Sequence, residues 1–399
     1  MNPLPGFRDF YPETLALRRY IFGKWRDVAR RYGFREYDGP PLEPLELYTL
    51  KSGDEIVGQL YNFTDKGDRA VALRPEMTPT LARMVGARHR DYKKPIKWFA
   101  IPQLFRYERQ QRGRLREHFQ FNADIIGETD VAADAELIAL AIDSLRSFGL
   151  TEQDFVVRIS DRRAWQRYLD ALGIPADQQY AVFQAVDKLE REPLEKTREK
   201  IAAVTPKVDA VLAFPNDDLR ELLDQLGELK KFCEVDFKIV RGLAYYTGIV
   251  WEIHDRKGQL RAIAGGGRYD NLLRLVGGVD LPALGFGMGD VVLGELLKAR
   301  GLLPKLDWEL DCYVVVADES LRGAIRPMIQ RLRDAGIAVD YALTPAKVGK
   351  QFQAAASRGA RFAVVVGPDE WTSGEVMLKD LATGHQERVQ IAELPERLK

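Results

Sequence analysis

The chain is poor in the residues that staple or anchor a fold. Its two cysteines, Cys233 and Cys312, stand far apart and in no C-x-x-C, and its four histidines never pair at i, i+3 or i, i+4. A disulfide framework and a Cys/His zinc site are both disfavoured, and no metal ligand set is assigned. No run approaches the roughly 18 apolar residues that a membrane span needs, and residues 1–8 hold Pro and Gly without an apolar signal core, so no membrane partner is expected and the cytoplasm is the expected address. Net charge is missing too: 59 Lys+Arg balance 59 Asp+Glu, so a polyanion would have to be held by local basic patches. What remains is 399 residues, 46% hydrophobic and 30% charged, which is too apolar for disorder and too long for one core. Two or three packed domains are expected.

Leu17, Ile21, Trp25, Val28 and Tyr32 recur at spacings of four, four, three and four, with Gly33 after them, which predicts an amphipathic helix closed by a glycine. From Phe34 to about Ile126 the pattern shortens to alternating segments such as Ile96–Ala100 and Phe119–Phe121, as in an antiparallel sheet. A helix is predicted from about Asp130 to Phe148. Residues 164–236 read as a charged helical unit inserted into that sheet, which resumes at Phe237–Val240 and Ile249–Ile253. After Pro304, strands at Cys312–Val316, Ile337–Asp340 and Phe362–Val366 alternate with helices at about Ser320–Ala335 and Ala346–Ser357, the pattern of a parallel α/β domain.

Chemistry concentrates in four places. Phe105 to Gln120 reads FRYERQQRGRLREHFQ, with Arg106, Arg109, Arg112, Arg114 and Arg116 around a turn at Gln110–Gly113. Arginines at alternate strand positions share a face and their guanidinium forks suit phosphate, although a solvated basic hairpin would read the same way. Leu73-Arg74-Pro75-Glu76-Met77-Thr78 sets a carboxylate beside a rigid Pro, and equally suits a helix start. Val240-Arg241-Gly242 precedes Tyr245 and Tyr246, and fits a turn as well as a site. Ala264-Gly265-Gly266-Gly267-Arg268-Tyr269-Asp270 would let a ligand approach the backbone, or make a tight turn between strands; it matches neither a dinucleotide nor a Walker pattern.

In this order the segments resemble the class II aminoacyl-tRNA synthetases, and among them the histidyl-tRNA synthetase family, over nearly the whole chain. Gly6-Phe7-Arg8-Asp9 is similar to the family's opening, Tyr32 to Glu43 to motif 1 at the dimer interface, and FRYER with its loop to motif 2. RGLAYYTGIVWE and AGGGRYDNL resemble the two histidyl signatures. The resemblance implies an antiparallel-sheet catalytic core in residues 1–163 and 237–304, a helical insertion at 164–236 and a C-terminal α/β anticodon-binding domain at 305–399. It implies histidine and ATP as substrates, Mg2+ alongside the ATP, tRNA(His) as partner and a homodimer.

Position by position, the resemblance gives Arg106 the α-phosphate of ATP, Glu108 the adenine amino group and Arg114 the far phosphates. Arg241 takes the family's catalytic arginine position, shared between the α-phosphate and histidine's carboxylate. Glu76 and Gln120 would receive the α-amino group, with Thr78 and Tyr245 beside them, and Asp124 and Tyr246 the two imidazole nitrogens. Gln111 and Arg112 sit where the motif 2 loop meets the tRNA acceptor end. In the terminal block, Lys347, Lys350 and Arg358 are candidates for the anticodon stem, or plain solvated helix charges. Two positions depart from the family: Val292 stands where motif 3 carries an arginine that stacks on ATP, and Ala244 replaces the Asp before the paired tyrosines. Arg268 is the candidate to grip ATP instead; the alternative is impaired adenylation. A non-catalytic relative of the fold, a histidine-sensing regulatory subunit of ATP phosphoribosyltransferase, is the rival reading. A general RNA-binding module is a third, and leaves the histidyl signatures unexplained.

Overall fold

The computed structural model describes residues 1–52, 54–107, 115–189, 192–214, 219–240, 245–258, 260–304 and 310–398. The chain divides into two compact units, residues 1–303 and 304–399. Among the described residues no helix is long and apolar enough to cross a membrane.

The first unit is built on a nine-stranded sheet among the described residues. In spatial order it runs Arg35–Glu36, Ile96–Ala100, Glu117–Ile126, Ala283–Gly289, Ala264–Arg268, Ile249–Asp255, Phe155–Asp161 and Cys233–Val235, with Gln103–Phe105 also pairing with Glu117–Ile126. The pairs are antiparallel except at the two edges, where short strands run parallel to their neighbours. The helix Pro12–Arg31 starts with Pro in its first turn, where the missing N–H costs nothing, and ends at Tyr32, followed by Gly33 at φ 75°. It buries Ile21, Trp25, Val28 and Ala29, and Trp25 stacks on Phe121 at 5.6 Å. The helix Val131–Arg146 is capped by Asp130, whose carboxylate accepts from Ala132 N at 2.8 Å. Both helices cover one face of the sheet, over Phe121, Ala123 and Ile125. Because side chains alternate along a strand, Gln120, Asn122 and Asp124 face the other way.

Helices Arg162–Ala171, Ala176–Val186, Leu194–Ala202 and Val208–Leu212 follow with a core of their own, which gathers Trp165, Phe183, Ile201 and Val211. They lie between two strands, Phe155–Asp161 and Ile249–Asp255, that pair directly with each other. Their charges form exposed pairs such as Arg198–Asp209, which contribute little to stability. Residues 237–240 form no strand: Ile239 N turns back to Asp236 O, while Phe237 packs against Phe214 and its carbonyl accepts from Trp165 Nε1 at 2.9 Å. The β-like composition of that segment serves the helical unit's core. The AGGGR segment is no turn either. It is a central strand, and its lack of side chains lets its neighbours crowd in: a Cβ on Gly266 would stand 2.5 Å from Phe286 Cβ.

The second unit's sheet runs Val339–Tyr341, Leu310–Val316, Ala360–Val366, Glu375–Asp380 and Gln386–Gln390. The first three strands are parallel, but the last two are antiparallel, so the sheet is mixed rather than wholly parallel. The helix expected from Ser320 begins at Arg326, after a 3₁₀ turn at Glu319–Leu321 capped by Asp318.

Candidate active site

On the face away from the two covering helices, the first unit's sheet floors a trough of about 1210 Å³. Its middle is paved by glycine. Gly285 and Gly287 lie across from Asp124 and Asn122, and Gly265 and Gly267 lie across from Gly287 and Gly285. With no Cβ on this face, the neighbouring side chains can lie flat over the strand. A Cβ on Gly285 would overlap Asp124 Oδ1 and come within 2.9 Å of Tyr269 Oη, and one on Gly287 would stand 2.6 Å from Gln120 Cδ. The G-x-G-x-G run at 285–289 therefore brings the polar ends of Gln120 and Asp124 over the centre of the floor. Nothing was drawn from this run in the sequence, although its period of two is the signal that points to one bare strand face.

Around this floor the structure gathers Glu76, Thr78, Arg106, Gln120, Asp124, Tyr245 and Tyr246, all lining the trough. Glu76 and Thr78 come from the start of the helix Thr78–Arg88, beside Arg106, whose Nε donates to Pro75 O at 3.0 Å. Behind them Arg74 is buried and ties three segments together, donating to Gln103 O at 3.0 Å, Asp38 Oδ1 at 2.8 Å and Gly39 O at 2.7 Å. Glu108, Gln111, Arg112, Arg114 and Arg241 lie outside the described residues.

Arg268 is not gathered. It lies on the opposite face of its strand, with an ion pair to Asp134 and bonds to Glu128 O at 2.8 Å and Asp130 O at 3.1 Å. Residue, partner and carbonyls together hold the helix Val131–Arg146 onto the sheet. A guanidinium 3% exposed and so committed is a strut, not a grip on ATP, which corrects the expectation for Arg268. Val292 does line the trough, as Val291, Leu260 and Ile263 do, so an aliphatic side chain stands where an arginine was expected.

Several further residues to which the sequence assigned no role line the trough. His118 faces the trough from the long strand. Glu252 and His254 lie on its floor, bonded to each other at 3.1 Å. Tyr269 donates its hydroxyl to Asp124, and burial pushes the tyrosine well above its usual range. Burial also raises Asp124 to about 7, against the lowering effect of the Tyr269 bond. Asp124 thus sits where a small change in surroundings sets its charge.

This has a measurable consequence. Because Asp124 is raised, the folded protein holds its proton more tightly than the unfolded chain between about pH 4 and 7, so stability is present below that window and lost as pH rises through it. Asp124→Asn removes the charge at issue. The variant is expected to match the parent near pH 4 and to exceed it by a few kcal/mol near pH 8, the usual exchange of function for stability. Denaturant unfolding at both pH values checks it; a variant less stable than the parent at pH 8 would refute the assignment.

The second unit places Lys347 and Lys350 exposed around the start of the helix Val348–Ser357, while Arg358 is paired with Asp340.

A family profile described as histidyl-tRNA synthetase matches residues 6–216 and 190–289, and one described as anticodon binding domain matches residues 311–399. A histidine–tRNA ligase of Opitutus terrae is 51% identical over 409 aligned positions, covering 95% of this chain and 94% of its own. Among solved structures, histidyl-tRNA synthetase from Nostoc sp. PCC 7120 superimposes with a TM-score of 0.81 at 27% identity, over 100% of this chain and 98% of its own. One described as an ATP phosphoribosyltransferase regulatory subunit/histidyl-tRNA synthetase, from Bacillus halodurans, shares the fold at 20% identity and a TM-score of 0.71, over 88% and 96% of the two chains. Matched by profile over the body of both units, and sharing half its residues with a near-full-length relative, this chain belongs to the histidyl-tRNA synthetase family.

Proposed function

We propose that this chain is a cytoplasmic histidine–tRNA ligase: it joins histidine to ATP as histidyl-adenylate, releasing pyrophosphate, and then passes histidine to the 3′ end of tRNA(His). The observation that carries this reading is the convergence of Glu76, Arg106, Gln120, Asp124, Tyr245 and Tyr246 on one glycine-paved floor. Histidine's α-amino group binds Glu76 and Gln120, with Thr78 beside them, and its ring lies between Asp124 and Tyr246. Groups matched to both ring nitrogens reject an analogue that leaves them unpaired, because a buried polar group without a partner is costly.

The first step asks one anion to attack another. The histidine carboxylate approaches the α-phosphorus of ATP, and pyrophosphate leaves as the new bond forms. Arginines held in place align the two and stabilise the charge that gathers between them, without a side-chain nucleophile. Arg106 takes this role in the described part of the trough, with Arg241 and Arg114 as its expected partners. Glu108 reads the adenine. Transfer then moves the histidyl group to a ribose hydroxyl, with the adenylate phosphate as leaving group and Gln111 and Arg112 at the acceptor end.

Among the described residues no three His, Cys, Asp or Glu side chains gather as a metal cage. The oxygen chemistry of the site suits Mg2+ as a companion of ATP, held by phosphate oxygens and water with at most a lone carboxylate such as Glu252. When bound, it would share the phosphate charge.

The sheet unit serves as the catalytic core and residues 305–399 as the anticodon-binding domain, with Lys347 and Lys350 free to meet the anticodon stem. The helices from Arg162 to Leu212 form the helical insertion, whose expected bounds of 164–236 shift because Cys233–Val235 is an edge strand of the core sheet and Phe237 packs in the helical unit. A twofold dimer is proposed through the motif 1 region, where Leu42 is exposed, with Leu50 and Phe63 exposed in the segments that follow it. The histidine-sensing alternative has less behind it: the matched C-terminal block has no use in that role, and the structure described in part as a regulatory subunit shares only the fold.

ATP–pyrophosphate exchange with each of the twenty amino acids, without tRNA, tests the reading. Exchange with histidine alone is expected, and Arg106→Ala should slow it by about a hundredfold or more. Histidine binding without any exchange would sink the ligase reading in favour of the sensor.

A further inference from the structure

We infer that Arg8 is a positioning residue for the ATP end of the trough: from behind the sheet, one guanidinium locks together the two elements that wall that end. The two are the hairpin of Gln103–Phe105 and Glu117–Ile126, and the helix Asp290–Ala299. Arg8 Nε donates to Glu117 Oε1 at 2.6 Å, and its Nη1 donates to Asp290 Oδ2 at 3.0 Å. Each carboxylate is tied further into the hairpin. Glu117 Oε2 accepts from Gln103 Nε2 at 3.0 Å, and Asp290 Oδ1 accepts from Phe119 N at 2.9 Å. The residues flanking Arg8 make the same grip: Gly6 O accepts from Arg116 N at 3.0 Å, and the Phe7 ring lies against Phe105 and Tyr61.

Glu117 is 1% exposed and Asp290 7%, so each is a buried charge that needs its partner. Neither touches the trough. The residues next to them in sequence do: His118 follows Glu117, and Val291 and Val292 follow Asp290. A shift at this joint therefore moves the walls around the nucleotide and leaves Asp124 and the histidine end in place. Among the described residues a further charge facing the joint is Arg18 of the helix Pro12–Arg31, which stacks over Phe10 and Phe119.

Removing the guanidinium sets two buried carboxylates against each other. Near neutral pH they relieve the repulsion by moving apart; in mild acid Asp290, whose carboxyl burial already raises, takes up a proton and the repulsion falls. That separates positioning from plain structural support.

The inference rests on the ligase reading for its choice of nucleotide, and calorimetry of ATP and of histidine binding to the full chain tests it. Arg8→Met is expected to weaken ATP by about tenfold near pH 8, to leave histidine within about twofold, and to regain most of the loss near pH 6. Arg8→Met combined with Glu117→Gln should regain ATP affinity near pH 8, since one carboxylate then remains, and Arg8→Lys should fall between. Equal losses for ATP and histidine, a loss independent of pH, or no loss would each overturn the positioning role. Failure of the ligase reading looks different: the parent would bind ATP and histidine yet give no histidine-dependent exchange.

Discussion

Gly285→Ala is expected to cost histidine binding about a hundred- to a thousandfold, which is what losing one or two hydrogen bonds to a charged group amounts to. The glycine makes no contact with substrate; its effect is all in what it leaves empty. Its new Cβ would overlap the carboxylate oxygen of Asp124 that Tyr269 holds, in a part of the core walled by Trp98 and Tyr246. Asp124 can yield only by turning off the ring-binding line, because the neighbouring strand backbone cannot shift without breaking the sheet register from Ala283 to Gly289. Gly289→Ala is the matched control: it lies on the same strand and lines the trough, but nothing stands within 4 Å of its would-be Cβ. It should hold histidine within about twofold of the parent. Calorimetric titration of both variants with histidine decides. If Gly285→Ala binds histidine as the parent does, Asp124 is not the residue that reads the ring.

Why some of this was legible in the sequence and some was not follows from the range of the forces involved. The helices Pro12–Arg31 and Val131–Arg146 could be read because their signals are local: an apolar stripe, a capping aspartate and a closing glycine all lie within a few turns. The glycine segment Ala264–Arg268 looked equally like a turn, because glycine loosens the backbone locally. Only its place between two strands, one of which fills the space with Phe286, makes it a strand. Phe237–Val240 failed in the opposite way, since a β-branched and aromatic run can just as well pack on helices, as Phe237 does on Phe214. The trough-lining residues inside contiguous motifs, such as Glu76, Arg106 and Tyr246, were named by resemblance. Arg8 with Asp290, separated by 282 positions, had no local pattern to announce it.

Arg268 is the sharpest case of a motif residue whose type was read correctly and whose direction was not. An arginine at the end of a glycine strand beside a trough invites a phosphate, yet strand alternation sends it to the other face, where Asp134 is 2% exposed. Breaking a buried pair by removing one partner leaves the other charge stranded, so Arg268→Met is expected to destabilise the protein by about 3–5 kcal/mol in denaturant unfolding. The loss should depend on pH with a definite sign. Burial already raises Asp134 to about 6 even with Arg268 lowering it. Without the arginine, the carboxyl stays protonated to higher pH, and the folded state is penalised more as pH climbs past that value, so the deficit should be small near pH 5 and grow toward pH 8. Replacing both partners, as Arg268→Met with Asp134→Leu, should recover most of the stability, because a well-packed apolar pair needs no counter-charge. ATP affinity measured on the folded double variant completes the argument: it should match the parent's, and a variant that unfolds like the parent but fails to bind ATP would return Arg268 to the nucleotide.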